Sequence, residues 1–356
     1  MRGEKVVDLW GGRRDARGSD PWLEDTLVMV YSTSKGMAAT AVALAHSRGL
    51  LDFDATVASY WPEFADHGKE AITVRQLLSH QAGLCAVDER LDAQALGDLD
   101  SVARAIARQA PAWEPGTRHG YHPFSIGWYE SELIRRVDPA GRSLGRFFSE
   151  EVAGPLGLEF YFGLPEEVGP DRVASIKGFT RLSALVHMRA MPPRMIAGFA
   201  RRKSLTYRAF ANPRLRGPAD LDAPEYRAVE LTAAAGVGQV RSIAKAYGEL
   251  ATGGQRLGIA DSTLAELTGP ARPPTGGVED LVLRVPTAYA AGFMKPSEAW
   301  PFAPPSAFGH PGAGGSFAFA DPDAQLGFAY APNRLGHHLR DDPREKALRD
   351  AVYRCL

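Results

Sequence analysis

Ser32-Thr33-Ser34-Lys35 is the stretch whose residue types and spacing most directly allow chemistry. Three residues apart on a helix, Ser32 and Lys35 share a face, so hydroxyl and amine can meet while Ser34 points elsewhere. A serine hydroxyl attacks a carbonyl only once a base takes its proton. A lysine serves as that base if burial makes its ammonium costly. The residues after Lys35, GMAATAVALA, are apolar nearly all round and supply such surroundings. The helix N-terminus adds a backbone N–H and a positive dipole end, which suit an oxyanion. Taken alone, the tetrapeptide fits a capping serine beside a surface lysine equally well.

Such a site needs a second proton-transfer group and a second oxyanion donor. Tyr121, in Arg118-His-Gly-Tyr121-His-Pro-Phe124, lies in a loop before a helical pattern, and a cationic neighbour would lower its phenol pKa. The stretch from Phe308 to Ser316, FGHPGAGGS, is dense in glycine, which lets backbone N–H groups approach a substrate closely. His310 within it could contact the substrate or the tyrosine. A buried, satisfied tyrosine and a glycine-rich hairpin are the plainer readings of these two stretches.

The elements that must position these groups follow from pattern. Residues 4–10 (EKVVDLW) read as a strand ending at Gly11-Gly12, and residues 27–31 as a short buried strand. Residues 35–49 read as a buried helix with Gly49 as its C-cap. Thr73 is an N-cap candidate for a short helix over 73–79, followed by a loop at 80–84 in which His80 makes a turn hydrogen bond. Residues 101–109 and 124–137 are amphipathic helix candidates, 288–294, 315–320 and 326–331 are strands, and 342–355 is a final helix. Strands at both ends with helices between predict an α+β fold, with an antiparallel sheet from about 1–31 and 285–356 and a helical region over about 50–235.

Composition narrows the function classes. The 41 Lys and Arg against 42 Asp and Glu give a net charge of −1, which argues against binding dominated by phosphate contacts. With 45% hydrophobic residues the chain can bury a large core, and 37 Gly with 26 Pro imply many loops. Cys85 and Cys355 form no metal-binding or disulfide pattern. His337-His338 and Asp341-Asp342 read as a solvated loop rather than a metal site, so neither metal nor cofactor is expected. The longest near-apolar run, 37–45, falls far short of the ~20 residues that span a bilayer, and the charged N-terminus has no signal-peptide h-region. A cytoplasmic location is the expectation. From Val173 to Ala219 there is no acidic residue, while Lys177, Arg181, Arg189, Arg194, Arg201, Arg202, Lys203, Arg208, Arg214 and Arg216 alternate with Met and aromatic residues. This segment reads as a basic insert packed on the acidic remainder, as a lid lining an acyl pocket, or as a membrane-surface patch.

The ordered set Ser32-x-x-Lys35, Tyr121 and His310-Pro311-Gly312 resembles the serine beta-lactamase/penicillin-binding superfamily, in particular class C beta-lactamases and family VIII carboxylesterases. Residues 73–84, Pro115 to Trp128, Phe308 to Ser316, Asp321-Pro322 and Tyr330 to Asn333 also look like that esterase-like branch, so the resemblance runs from about residue 4 to the end. It implies one beta-lactamase/transpeptidase-like catalytic domain over 1–356. Ser32 would be the acylated nucleophile. Lys35 and Tyr121 would share acid/base work, and the N–H groups of Ser32 and Ala313 would form the oxyanion hole. His310, Gly312 and Gly314 would contact substrate.

Three departures bear on the substrate. The family's lactamases carry Tyr-x-Asn where this chain has Tyr121-His122-Pro123, and Lys-Thr-Gly where it has His310-Pro311-Gly312. Losing an amide and a fixed positive charge disfavours a carboxylate-bearing substrate and favours uncharged esters. The family also has a helix and a strand before the segment at 4–10, and Met1 begins almost inside that region. The expected activity is a carboxylesterase on small or medium acyl esters, acting through an acyl-enzyme. A beta-lactamase, D-amino-acid peptidase or acyltransferase using the same site is the alternative, and a non-catalytic assembly protein is the reading from another class. An α/β-hydrolase is disfavoured because no G-x-S-x-G is present. Partners are a small ester or amide substrate, with no nucleic acid and no membrane span.

Overall fold

The computed structural model describes residues 1–15, 18–179 and 190–356. Its main sheet has five antiparallel strands in the order β4 (Tyr289–Ala290), β5 (Phe293–Met294), β6 (Phe308–Pro311), β7 (Phe317–Asp321) and β8 (Leu326–Tyr330). The alternation of β7 shows why it forms a sheet with two covered faces. Phe317 and Phe319 join an aromatic cluster with Trp300, Phe302 and Phe328, beneath the helix Pro343–Cys355. Ala318 and Ala320 face the main core, where the helix Val240–Ala251 packs on β7 and β8. Small residues on that face let the helix approach closely: a side chain on Gly327 would collide with the backbone of Gly248.

A second, three-stranded sheet pairs β1 (Val28–Met29) and β2 (Phe160–Tyr161) with the central β3 (Val237–Gly238). The helix Ser34–Ser47 follows β1 and is buried on every side through Ala45. The expected C-cap is displaced by one residue: Arg48 caps, and Gly49 turns the chain at φ +69°. Gly36 is required inside this helix, because any side chain there would strike the Tyr247 hydroxyl of the helix Val240–Ala251. The capping box expected at Thr73 is present, with Gln76 as its partner. The helices expected at 101–109 and 124–137 form as Leu99–Ala107 and Ser125–Val137. Among the described residues no helix is long and apolar enough to cross a membrane.

Three expectations change. Residues 4–10 are not a strand; they have no regular secondary structure and leave Val6, Val7 and Leu9 largely exposed, because among the described residues no neighbouring strand meets their backbone. The five-stranded sheet is therefore drawn from residues 289–330, and the N-terminal contribution is confined to β1 of the small sheet. The segment 288–294 is two strands around a tight turn, and 308–311, read as a glycine-rich loop, is strand β6. In the basic segment, Arg181, Met188 and Arg189 lie outside the described residues. The described part includes two short helices, Pro193–Phe199 and Leu205–Phe210, whose Met195 and Phe199 face the aromatic cluster. Arg194 pairs with Glu279 and Arg208 with Asp88, which fits a basic insert packed on acidic neighbours.

Candidate active site

Ser32 stands on a one-turn 3-10 helix, Tyr31–Thr33, between β1 and the buried helix. Tyr31 adopts φ +50°, a left-handed conformation that costs a bulky residue energy and turns the chain sharply. The turn is held from the sheet side. The Ser316 hydroxyl donates to the Val30 carbonyl at 2.8 Å and lies 3.1 Å from the Thr33 hydroxyl. Gly312 sits so close that a side chain there would collide with the Val30 carbonyl and the Ser316 hydroxyl. The β6–β7 turn is thus seated on the turn carrying Ser32. Ala313, exposed at the tip, has no backbone acceptor for its N–H among the described residues. Gly314, at φ +84°, packs against Leu335 on the far side of the turn.

Lys35 is 1% exposed, and its Nζ lies 3.3 Å from Ser32 Oγ. Nζ also donates to the carbonyls of Pro123 and Ala233, each at 2.8 Å. A neutral amine has two N–H bonds, and two carbonyls take them. The remaining direction, which is the lone pair of a neutral amine, is the one toward the serine hydroxyl. Burial drives the Lys35 pKa down to about 7, opposed by the charge of Glu130. Glu130 is itself 1% exposed, with Oε2 unpartnered, and burial pushes it up to about 8. Ser34 points away, accepting from the Gly236 N–H at 2.9 Å, as its helical position requires.

Tyr121 is 6% exposed. Its ring lies 4.7 Å from Lys35 Nζ, stacks on the His310 ring at 5.8 Å and meets His80 edge-on at 5.2 Å. The expected lowering of its pKa by a cation is not found. Burial holds the phenol well above its ordinary value, Asp280 adds to that, and only the Ser32 side chain pulls the other way. In the resting protein Tyr121 is therefore a phenol, and the group able to accept the serine proton near neutral pH is Lys35.

His310 lies on β6 with Nδ1 2.7 Å from the Pro311 carbonyl. A carbonyl only accepts, so Nδ1 carries the hydrogen and Nε2 is a bare acceptor, buried and unpartnered. Burial and the Lys35 charge bring its pKa down to about 3. The ring is neutral at working pH, and it stands where the resemblance puts a permanent cation. His122 is held the same way: Nδ1 lies 2.7 Å from the Gly120 carbonyl and 3.1 Å from His80 Nδ1. Beyond the turn contact expected of it, His80 thus belongs to the wall behind Tyr121.

The structure brings Ser32, Lys35, Tyr121 and His310 together, with the Gly312–Gly314 turn against the Ser32 turn. Sequence reasoning missed the two carbonyls that clasp Lys35, for which no side-chain signal exists. It also missed Glu130, an acidic residue on the face of a helix that turns inward, and Asp280. Among the described residues no group of three or more His, Cys, Asp or Glu could hold a metal ion.

With this geometry in place, comparisons with known proteins are informative. The Beta-lactamase family model matches residues 1–353. The Esterase/beta-lactamase LipL of Mycobacterium tuberculosis is 34% identical over 338 residues, covering 94% of this chain and 76% of its own. The crystal structure of a family VIII carboxylesterase superposes with a TM-score of 0.85 at 41% identity, covering all of this chain and 90% of that one. A penicillin-binding protein homologue from Caulobacter crescentus gives 0.85 at 36% identity, with 100% and 91% covered. A serine beside a buried lysine at the seam of sheet and helices, on this fold and over this length of match, places the chain in the beta-lactamase family.

Proposed function

We propose that the protein is a carboxylesterase that works through an acyl-enzyme on Ser32. The observation that carries this reading is the Lys35 amine, stripped of water, with two positions used by carbonyls and the third turned to Ser32 Oγ. Lys35 accepts the serine proton as Oγ attacks the ester carbonyl. The N–H groups of Ser32 and Ala313 receive the oxyanion, the role for which a fixed backbone donor is most effective. Tyr121, a phenol beside both Ser32 and Lys35, passes a proton to the departing alcohol, and Lys35 resupplies it. In deacylation the same pair acts in reverse on water.

Uncharged esters, rather than beta-lactams or peptides ending in a carboxylate, are favoured by His310. Its neutral ring offers a lone pair where a carboxylate would need a cation. Ester hydrolysis is named for both similar proteins, alone in the family VIII carboxylesterase and beside beta-lactamase in Esterase/beta-lactamase LipL. The test is intact-mass labelling with a fluorophosphonate on wild type and Ser32→Ala, followed by p-nitrophenyl acetate and nitrocefin assays. One adduct on the wild type, none on the variant, and turnover of the ester well above the lactam support the proposal. An unlabelled wild type, or ester hydrolysis retained by Ser32→Ala, overturns it.

A further inference from the structure

Behind Tyr121 lies a carboxylate that the reaction as described does not use. Asp280 is fully buried, and among the described residues no cation lies within salt-bridge distance of it. Hydrogen-bond donors surround it instead. The Tyr121 N–H donates to both oxygens, at 3.0 and 2.9 Å. The N–H groups of Val282 and Leu283 donate to Oδ1 at 2.8 Å, and the Tyr289 hydroxyl donates to Oδ2 at 3.1 Å. The Thr287 hydroxyl is near Oδ2 at 3.4 Å. Burying a carboxylate is expensive unless every lone pair is satisfied, and this set comes close to doing so.

The phenol it serves has a single side-chain partner, the Ser32 hydroxyl that it must act on. Around the Tyr121 ring Lys35, His80 and His310 confine it by packing, and its hydroxyl meets the Ser32 side chain. The ring's height above Ser32 also depends on its backbone, whose N–H at Tyr121 goes to Asp280 while the flanking N–H groups of Gly120 and His122 go to His80. We infer that Asp280 is a positioning residue for ester hydrolysis, holding the Tyr121 main chain so that the phenol stays in register with Ser32 and Lys35. An amide cannot replace it: Asn offers one acceptor and adds a donor among groups that are themselves donors. A reacting group moved by about 1 Å can lose on the order of 100-fold in rate.

The inference rests on Ser32 as the nucleophile, and the experiment separates the two. Fluorophosphonate labelling is followed by mass in wild type, Asp280→Asn, Tyr289→Phe and Tyr121→Phe, and in the double variant Asp280→Asn/Tyr121→Phe. Both the amplitude and the rate constant per labelled site are read, with kcat and KM for p-nitrophenyl acetate. Asp280→Asn is expected to label about 10- to 100-fold more slowly per site, with kcat falling alike and KM little changed. A purely structural role would cut the amplitude and leave the rate constant per site alone. Tyr289→Phe, which removes one donor, should slow labelling a fewfold and decides the matter if Asp280→Asn does not fold. In the Tyr121→Phe background the Asp280→Asn effect should vanish, since it acts through the phenol. Wild-type rates per site in folded Asp280→Asn, or in Tyr289→Phe should the former not fold, overturn the inference, as does a full Asp280→Asn effect without the phenol. A wild type unlabelled at Ser32 would instead end the esterase reading.

Discussion

Among the described residues three lysines are buried, and they differ in one acceptor. Lys69 Nζ donates to the carbonyls of Asp66, Ala107 and Gln109 at 2.7 to 2.9 Å. Lys295 Nζ donates to those of Leu267, Thr268 and Ser306 at 2.8 to 3.1 Å. Each has three carbonyls, one for each N–H of an ammonium. Lys35 has two carbonyls and a serine. Burial lowers all three, Lys69 and Lys295 to about 8 and Lys35 to about 7. A low pKa alone does not make a base. Lys69 and Lys295 have no free direction, whereas Lys35 has one, and the Ser32 hydroxyl occupies it.

The largest expected effect breaks the comparison at its centre. Lys35→Met should cost about 10²–10⁴-fold in kcat/KM for p-nitrophenyl acetate, the usual worth of a general base. Lys69→Met and Lys295→Met should leave kcat/KM per folded molecule unchanged. Equal losses in all three would show that Lys35 is also structural.

Protonation should mimic the Lys35 change. Because Lys35 is a base only when neutral, kcat/KM should fall about tenfold per pH unit below the pKa near 7 that burial gives it. A flat profile from pH 8 to 5 would remove Lys35 from the base role.

Stability should order the lysines the other way. Lys69→Met leaves three carbonyls without a donor, those of Ala107 and Gln109 buried and that of Asp66 part-buried, and each unmade buried bond costs about 1–3 kcal/mol, so urea unfolding should show a loss of roughly 3 kcal/mol. Lys35→Met frees only two carbonyls, and should lose less.

The neighbours sharpen the contrast further. Lys35 is ringed by His80, His122 and His310, all held neutral by burial, with His122 brought down to about 3. A group whose folded pKa is depressed binds more protons unfolded than folded, so stability falls as pH drops from the ordinary 6.5 toward 3. Replacing His122 by Asn, which keeps a donor for the Gly120 carbonyl, should remove one such proton. The stability lost by the wild type between pH 6.5 and 4 should shrink by roughly 2–3 kcal/mol, read by urea unfolding at both values. The smallest effect is expected from Ser316→Ala, which unties the β6–β7 turn from Val30. It should cost about 1 kcal/mol of stability and a fewfold in acylation rate, read by stopped-flow labelling.

Much of the active site is legible in the sequence because its logic is local. Ser32 and Lys35 meet through the pitch of one helical turn, and the apolar run that desolvates the amine follows directly. Gly312 is legible as a close approach, though not what it approaches. The segment 4–10 is not a strand because Val6, Val7, Leu9 and Trp10, though β-prone, make one only when a partner is present to bond its edges. β6 was hidden because Gly309, Pro311 and Gly312 are poor strand formers. Gly309 sits there because a side chain would strike the Ala318 carbonyl of the neighbouring strand, a reason outside its own segment.

The sequence by itself determined the α+β class, the pairing of Ser32 with Lys35, and the set of Tyr121 and His310 that complete the site. The tertiary structure alone decided which buried lysine keeps one direction for a serine hydroxyl. The carbonyls that occupy two of its three directions lie 88 and 198 residues away along the chain, and the carboxylate that fixes Tyr121 lies 159 residues beyond it. Helical pitch is a property of neighbours and can be read from spacing. Desolvation and the filling of acceptors depend on what distant segments bring, and they exist only once the chain has closed around the amine.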